Sequence, residues 1–228
     1  MAKRKTSGVN DLLAVSFNPA TQAQSEAAYD FREGRNLLLT GYTGTGKTFL
    51  AIALGLELMQ EGEIDQIVVF RSAVPSRDIG FMPGDESEKM SAYEEAIKEA
   101  VNTVARRGDA YEIMKQKGRI KFLSTSFQRG MNYRNTLVII DEVQNCTDNE
   151  INTVVTRLSH NSRIILCGDF RQTDARGHES GFKGMVATIQ KLPQHFSVID
   201  FGINDIIRSG LVRDWIIATE ELYGIRID

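Results

Sequence analysis

Gly41-Tyr42-Thr43-Gly44-Thr45-Gly46-Lys47-Thr48 fills every fixed position of the phosphate-loop pattern G-x4-G-K-S/T. The apolar run Leu37-Leu38-Leu39 precedes it and Phe49-Leu50-Ala51-Ile52-Ala53-Leu54 follows, so strand, glycine-rich turn and helix come in the order the pattern requires. Glycine at 41, 44 and 46 permits positive φ and close backbone approach, which turns successive N–H groups toward one anion-sized hollow. That hollow opens onto a helix N-terminus, whose unpaired donors favour phosphate. Lys47 is suited to the β- and γ-phosphates of a nucleotide and the Thr48 hydroxyl to Mg²⁺, with the main chain of Thr43 and Thr45 completing the cradle.

Outward from the loop, Ile67-Val68-Val69-Phe70, Leu137-Val138-Ile139-Ile140 and Ile164-Ile165-Leu166-Cys167 are continuous apolar runs of the kind buried on both faces of a parallel sheet. Residues 119–123 and Val198-Ile199-Asp200-Phe201 are two more strand candidates. Helical spacing predicts helices over 19–33, 46–61, 91–105, 110–117 and 211–223, with another capped at Thr147 or Asp148. Ser91, with Glu94 three positions on, reads as the cap of the third. Strands alternating with helices imply an α/β domain, a parallel sheet with helices on both faces and a ligand at the carboxyl ends of the strands. Residues 1–18 read as a flexible N-terminal arm and 19–228 as one domain.

A chain of 228 residues can bury one sizeable core. It contains no apolar run approaching the roughly 18–20 residues of a membrane span. The basic start Met1-Ala2-Lys3-Arg4-Lys5 leads into no hydrophobic signal core, so a cytoplasmic location without membrane association is expected. Cys146 and Cys167 lack the number and spacing of a zinc site or a disulfide framework and read as small buried residues. A net charge of −3 argues against a wholly basic surface and leaves room for a local groove.

Leu137-Val138-Ile139-Ile140-Asp141-Glu142 ends four apolar residues in two acids, the form of the second phosphate-loop motif. Asp141, at a strand's carboxyl end, is suited to hold the Mg²⁺ hydration shell beside Thr48. Glu142 next to it can polarise a water for in-line attack, which suits an ATPase more than a kinase. An acidic pair after a strand can also be a solvated turn or a helix cap. The motif continues as Asp141-Glu142-Val143-Gln144, and Gly168-Asp169-Phe170-Arg171-Gln172 comes after the next strand. D-E-x-Q followed by G-D-x-x-Q resembles the nucleic-acid-dependent ATPases of helicase superfamily 1. That resemblance implies a RecA-like domain in which Gln172 contacts the γ-phosphate or the attacking water; the alternative is a surface loop residue.

Five phrases in order narrow the match: Gly80-Phe81-Met82-Pro83-Gly84-Asp85 with Glu88-Lys89, Phe127-Gln128-Arg129-Gly130, Ile139-Ile140-Asp141-Glu142-Val143-Gln144-Asn145, Asn204-Asp205-Ile206-Ile207-Arg208-Ser209 and Leu211-Val212. Together they resemble the PhoH family over residues 20–223. The resemblance implies an ATP- and Mg²⁺-dependent ATPase, a homohexamer, and a role in remodelling RNA or single-stranded DNA. It also implies an adenine contact for Gln24 and stabilisation of γ-phosphate charge by Arg208. Gln24 reads alternatively as a solvent-facing helix residue and Arg208 as a salt-bridge partner. Met131-Asn132-Tyr133 departs from the family's second basic position. Helicases of superfamily 1 receive their arginine from a second RecA-like domain. With length for one, this chain must bring Arg208 back onto its own site or to a neighbour's.

Arg71, Arg77, Lys89 and Arg129 fall in irregular stretches after predicted strands, where a single strand of nucleic acid would find cations, and Phe81 or Phe127 could stack on a base. The alternative is that the charges are solvated and the phenylalanines belong to the core. Two other functions fit the phosphate loop: a slow nucleotide-dependent scaffold or regulatory module, and a small-substrate kinase. A GTPase fits less well, since no N-K-x-D sequence occurs.

Overall fold

The computed structural model describes residues 15, 17–72, 86–125, 132–169 and 181–223. Among the described residues are six strands: β1 (Asn36–Gly41), β2 (Gln66–Arg71), β3 (Ile120–Ser124), β4 (Thr136–Asp141), β5 (Arg163–Cys167) and β6 (Phe196–Phe201). They form one sheet in the order β3-β2-β4-β5-β1-β6, and every pairing is parallel. All six fall where the apolar runs predict them.

Because side chains of a strand alternate between faces, each apolar run feeds two cores. Leu37, Leu39, Ile67, Val69, Leu137, Ile139 and Ile165 face one side, where they meet α1 (Gln22–Arg32), α2 (Lys47–Glu61), α3 (Glu86–Val104) and α4 (Ala110–Gln116). Leu38, Val68, Phe70, Val138, Ile140, Ile164 and Leu166 face the other, against α5 (Asp148–Val155) and α6 (Phe182–Gln190). A last helix, α7 (Gly210–Tyr223), follows β6. Helices on both faces of a parallel sheet are the expected RecA-like α/β arrangement.

Several local readings need correction. α3 begins at Glu86, so Ser91 lies inside the helix and cannot cap it. Glu94 instead accepts a hydrogen bond from the Tyr111 hydroxyl at 2.5 Å and pairs with Lys115, tying α3 to α4. The helix α6 has no counterpart in the sequence reading, because its apolar positions Phe182, Met185 and Ile189 are few and its N-cap, Gly181, makes no side-chain cap bond. Of the stretch read as an arm, Val15 and Phe17 pack against the core, with the Phe17 ring 6.2 Å from that of Phe49, and residues 1–14 lie outside the described residues. Thr147 caps α5 through a reciprocal capping box with Glu150, and both cysteines are buried, as read. Burial pushes both thiols above their ordinary range, so they remain neutral and unreactive.

Two glycines are held by different constraints. Gly41 has φ +108°, and a Cβ there would lie 2.1 Å from the Phe201 carbonyl oxygen of the paired edge strand. Gly62 ends α2 at φ +77° with nothing within 4 Å of the same atom. Gly62→Ala therefore meets only the conformational penalty of about 1 kcal/mol, roughly 2–4 °C of melting temperature in a domain of this size. Gly41→Ala must also push β6 away. Thermal denaturation of the two variants is expected to show a far larger loss for Gly41→Ala; equal losses would contradict this account.

Candidate active site

Parallel strands bring their carboxyl ends to one edge, and the register sets what gathers there. Arg71 stands opposite Asp141 and Gly41 opposite Phe201, while β5 separates β1 from β4, with Cys167 opposite Leu39 and Leu166 opposite Ile140, so that β1 runs on to Gly41 past the level at which β4 ends. The phosphate loop turns off β1 with positive φ at Gly41, Gly44 and Gly46, the last being the N-cap of α2. Thr45 is fully buried, and its hydroxyl donates to the Tyr42 carbonyl at 2.8 Å, whereas Thr43 is exposed on the loop. Lys47 Nζ donates to Gly41 O and Tyr42 O at 2.8 and 2.6 Å. Burial lowers its pKa, opposed by the nearby charge of Asp169 and then of Glu142 and Asp141.

The loop meets the acid pair directly. Thr48 Oγ1 donates to Asp141 Oδ1 at 2.7 Å, and Arg71 Nη1 donates to Asp141 Oδ2 at 2.9 Å. Asp141 is buried, and desolvation raises its pKa while Arg71 opposes that rise. Glu142 follows at φ +52°, ψ +47°, a left-handed conformation that costs a non-glycine residue about 1–2 kcal/mol. Its Oε2 accepts from Gln144 Nε2 at 2.5 Å, and its Oε1 stands 3.7 Å from Arg71 Nη2. Gln144, buried, in turn accepts at Oε1 from the Asp169 N–H at 3.0 Å. An unbroken chain of contacts thus runs from the end of β5 through Gln144 and Glu142 to the acid pair. It depends on a glycine at 168, where a Cβ would lie 2.8 Å from Val143 Cγ1 and 3.0 Å from Gln144 Oε1.

Two more of the residues singled out from sequence lie against the loop. Gln24 is buried rather than solvent-facing: its Nε2 donates to Thr45 O at 2.9 Å and its Oε1 accepts from the Ala20 N–H at 2.8 Å. The segment after β6 also folds back, with Ile207 N–H donating to Gly44 O at 3.2 Å. It sets Arg208 beside its own loop, close enough that a Cβ on Gly44 would meet Arg208 Cγ at 2.9 Å. Gln172, Arg77, Phe81, Phe127, Arg129 and the side chain of Lys89 lie outside the described residues. Arg71 is no part of a free basic surface, since its guanidinium is turned into the acids.

The PhoH-like protein family model matches residues 16–220, most of the chain. The chain belongs to the PhoH-like family. It is 30% identical over 181 residues to a PhoH-like protein of Synechocystis sp., covering 79% of this chain and 55% of that one. Protein PhoH of Escherichia coli K12 is 31% identical over 185 residues, covering 78% of this chain and 51% of its own length. Protein PhoH2 of Mycolicibacterium smegmatis is 35% identical over 160 residues, 69% of this chain and 36% of that protein. The PhoH-like chain therefore spans about half the length of those relatives, or less. Among solved structures, the large terminase of a thermophilic bacteriophage superposes with a TM-score of 0.55 at 12% identity, over 87% of this chain and 50% of its own. The same terminase in complex with ADP superposes at 0.52 and 12% identity, over 86% and 49%. At that identity the likeness is one of fold.

Sequence reasoning passed over Gln144 as a residue with a role of its own and read Arg71 as one of several cations in irregular stretches on the ATP-site side, whereas it is the last residue of β2 and paired with the acids. The signal for Gln144 was its place in D-E-x-Q; for Arg71 it was its place at the end of a strand, which only the register turns into proximity to Asp141. Gln144→Leu keeps most of the volume but takes the acceptor from the buried Asp169 N–H and the donor from Glu142. A destabilisation of about 1–3 kcal/mol is expected in chemical denaturation. No change in midpoint would show that the relay contributes nothing.

Proposed function

We propose that this PhoH-like chain binds and hydrolyses ATP with Mg²⁺. The observation that carries the reading is the 2.7 Å contact of Thr48 Oγ1 with Asp141 Oδ1 beside a phosphate loop whose three glycines have positive φ. A hydroxyl and a carboxylate are hard oxygen donors of the type Mg²⁺ prefers, and the loop N–H groups with Lys47 suit a polyphosphate. The residues present therefore fit a magnesium nucleotide, and the bound metal would neutralise charge between the β- and γ-phosphates.

In this reading Thr48 and Asp141 hold the ion and Lys47 moves its ammonium from the loop carbonyls to phosphate oxygens. Glu142 Oε1 takes the proton of the attacking water, while Gln144 occupies Oε2 and so fixes which oxygen faces the reaction. Gln24 braces Thr45 and retains a second amide proton and a second lone pair with which to meet an adenine edge. Arg208, seated at its own loop, supports a contact with phosphate in cis. Gln172 is proposed to sense the γ-phosphate by family resemblance. Glu142→Gln is expected to lower turnover by about 100-fold or more while nucleotide affinity stays within about twofold. Hydrolysis by this variant at the wild-type rate would defeat the assignment and favour a scaffold whose function does not need turnover.

We further infer that hydrolysis is coupled to remodelling of RNA or single-stranded DNA by a homohexamer, with ATP near the contact between copies. Ile207, Leu211, Val212, Trp215 and Leu222 are exposed apolar residues on and just before α7, beginning at the segment that touches the loop. A run of exposed apolar residues of this kind supports packing of a second copy there, and a head-to-tail contact closes into a ring when the rotation permits. Light scattering is expected to report an oligomer for the wild type and a smaller species for Trp215→Glu; a monomeric wild type would overturn the assembly. Among the described residues no helix is long and apolar enough to cross a membrane. ATP turnover measured with and without single-stranded RNA and DNA at fixed salt identifies the polymer, and turnover indifferent to both would remove nucleic acid from the reading.

A further inference from the structure

Arg71 belongs to the site, yet no step above uses it. It is the last residue of β2, level with Asp141 in the sheet register. Its Nη1 donates to Asp141 Oδ2 at 2.9 Å, its Nη2 stands 3.7 Å from Glu142 Oε1, and its guanidinium carbon lies 3.8 Å from the ring centroid of Tyr93 on α3. Those contacts hold a planar cation between the two acids, with its side chain 21% exposed. Thr48 occupies the other oxygen of Asp141, so the guanidinium is one carboxylate removed from the pair that would hold the ion. On its other side is the group that orients the attacking water. On the ATP reading a terminal phosphate would lie between the Thr48–Asp141 pair and Glu142, so that Arg71 would border it. Arg208, by contrast, is exposed.

We propose that Arg71 is a catalytic arginine, supplied by the chain's own β2, that contacts the terminal phosphate of the nucleotide. The assignment rests on the ATP reading given above. With an ion held by Thr48 and Asp141, the Arg71 guanidinium would exchange Asp141 Oδ2 for phosphate oxygens, which offer the same fork of donors an equivalent bidentate partner. The Tyr93 ring keeps a face under the guanidinium while that exchange takes place. No domain closure is needed, because the arginine is already inside the site.

The test measures binding of a fluorescent ADP and of a fluorescent non-hydrolysable ATP analogue, both with Mg²⁺, to the wild type, Arg71→Ala and Arg71→Lys. ADP affinity is expected to stay within about twofold in the variants, while affinity for the analogue falls about tenfold or more, the size of one charged hydrogen bond. Lysine should not rescue, since a point charge cannot reproduce the fork. Turnover should fall by about 1,000-fold, as when an arginine finger is lost. Equal loss for both nucleotides, or loss for neither, overturns the assignment. Should Arg71→Ala fail to fold, Tyr93→Leu keeps the arginine and removes its platform: a selective loss for the analogue supports the inference, and an unchanged ratio of the two affinities overturns it. A wild type that binds neither nucleotide overturns the ATP reading, and this inference with it; a wild type that binds both while Arg71→Ala does not discriminate overturns this inference alone.

Discussion

The hydrogen bond from Thr48 to Asp141, 2.7 Å long, joins residues 93 positions apart and is the contact on which the site depends. It exists because β1, which is not a neighbour of β4 in the sheet, runs on to Gly41 past the level at which β4 ends at Asp141, and the loop it feeds leads to Thr48. β5 stands between the two strands and sets their spacing, and parallel pairing brings the carboxyl ends to one edge. The loop supplies its half of the contact only if Gly41 can pass the Phe201 carbonyl without a side chain. Packing of the edge strand and construction of the site are thus one requirement met at one residue.

Around that contact the polar groups are arranged in pairs. Asp141 has both oxygens engaged, by Thr48 and by Arg71, which offsets what burial of a carboxylate costs. Glu142 sits in a strained left-handed conformation. The strain persists because Gln144 holds the carboxylate and Asp169 holds Gln144, while the absence of a Cβ at Gly168 gives the amide room. Strain of this kind at a group assigned to proton transfer accords with preorganisation, since the carboxylate need not be recruited when a nucleotide arrives.

The segment from β6 to α7 has a different character. It is bound to the loop by a backbone hydrogen bond from Ile207 and by the stem of Arg208, and it then continues into a helix with Leu211, Trp215 and Leu222 exposed. In the assembly proposed above, this apolar surface begins at the phosphate loop, so the contact between copies would respond to what the loop holds. The segment also brings Arg208 to the loop, so that it and Arg71, set inside the acid pair from the end of β2, stand near one site.

The phosphate loop, all six strands, the capping of α5 and the acid pair were legible in the order of residues, because each is a local pattern: glycines at fixed spacing, apolar runs, a capping box. α6 was not, for its apolar positions are too few to stand out. Ser91 misled for a related reason, since a serine with a glutamate three residues on resembles a cap even inside a longer helix. The surroundings of Gln24, Gln144, Arg71 and Arg208 were decided only in three dimensions. Each depends on strand register or on a segment folding back, and both are set by burial of the two cores rather than by the neighbours of these residues along the chain.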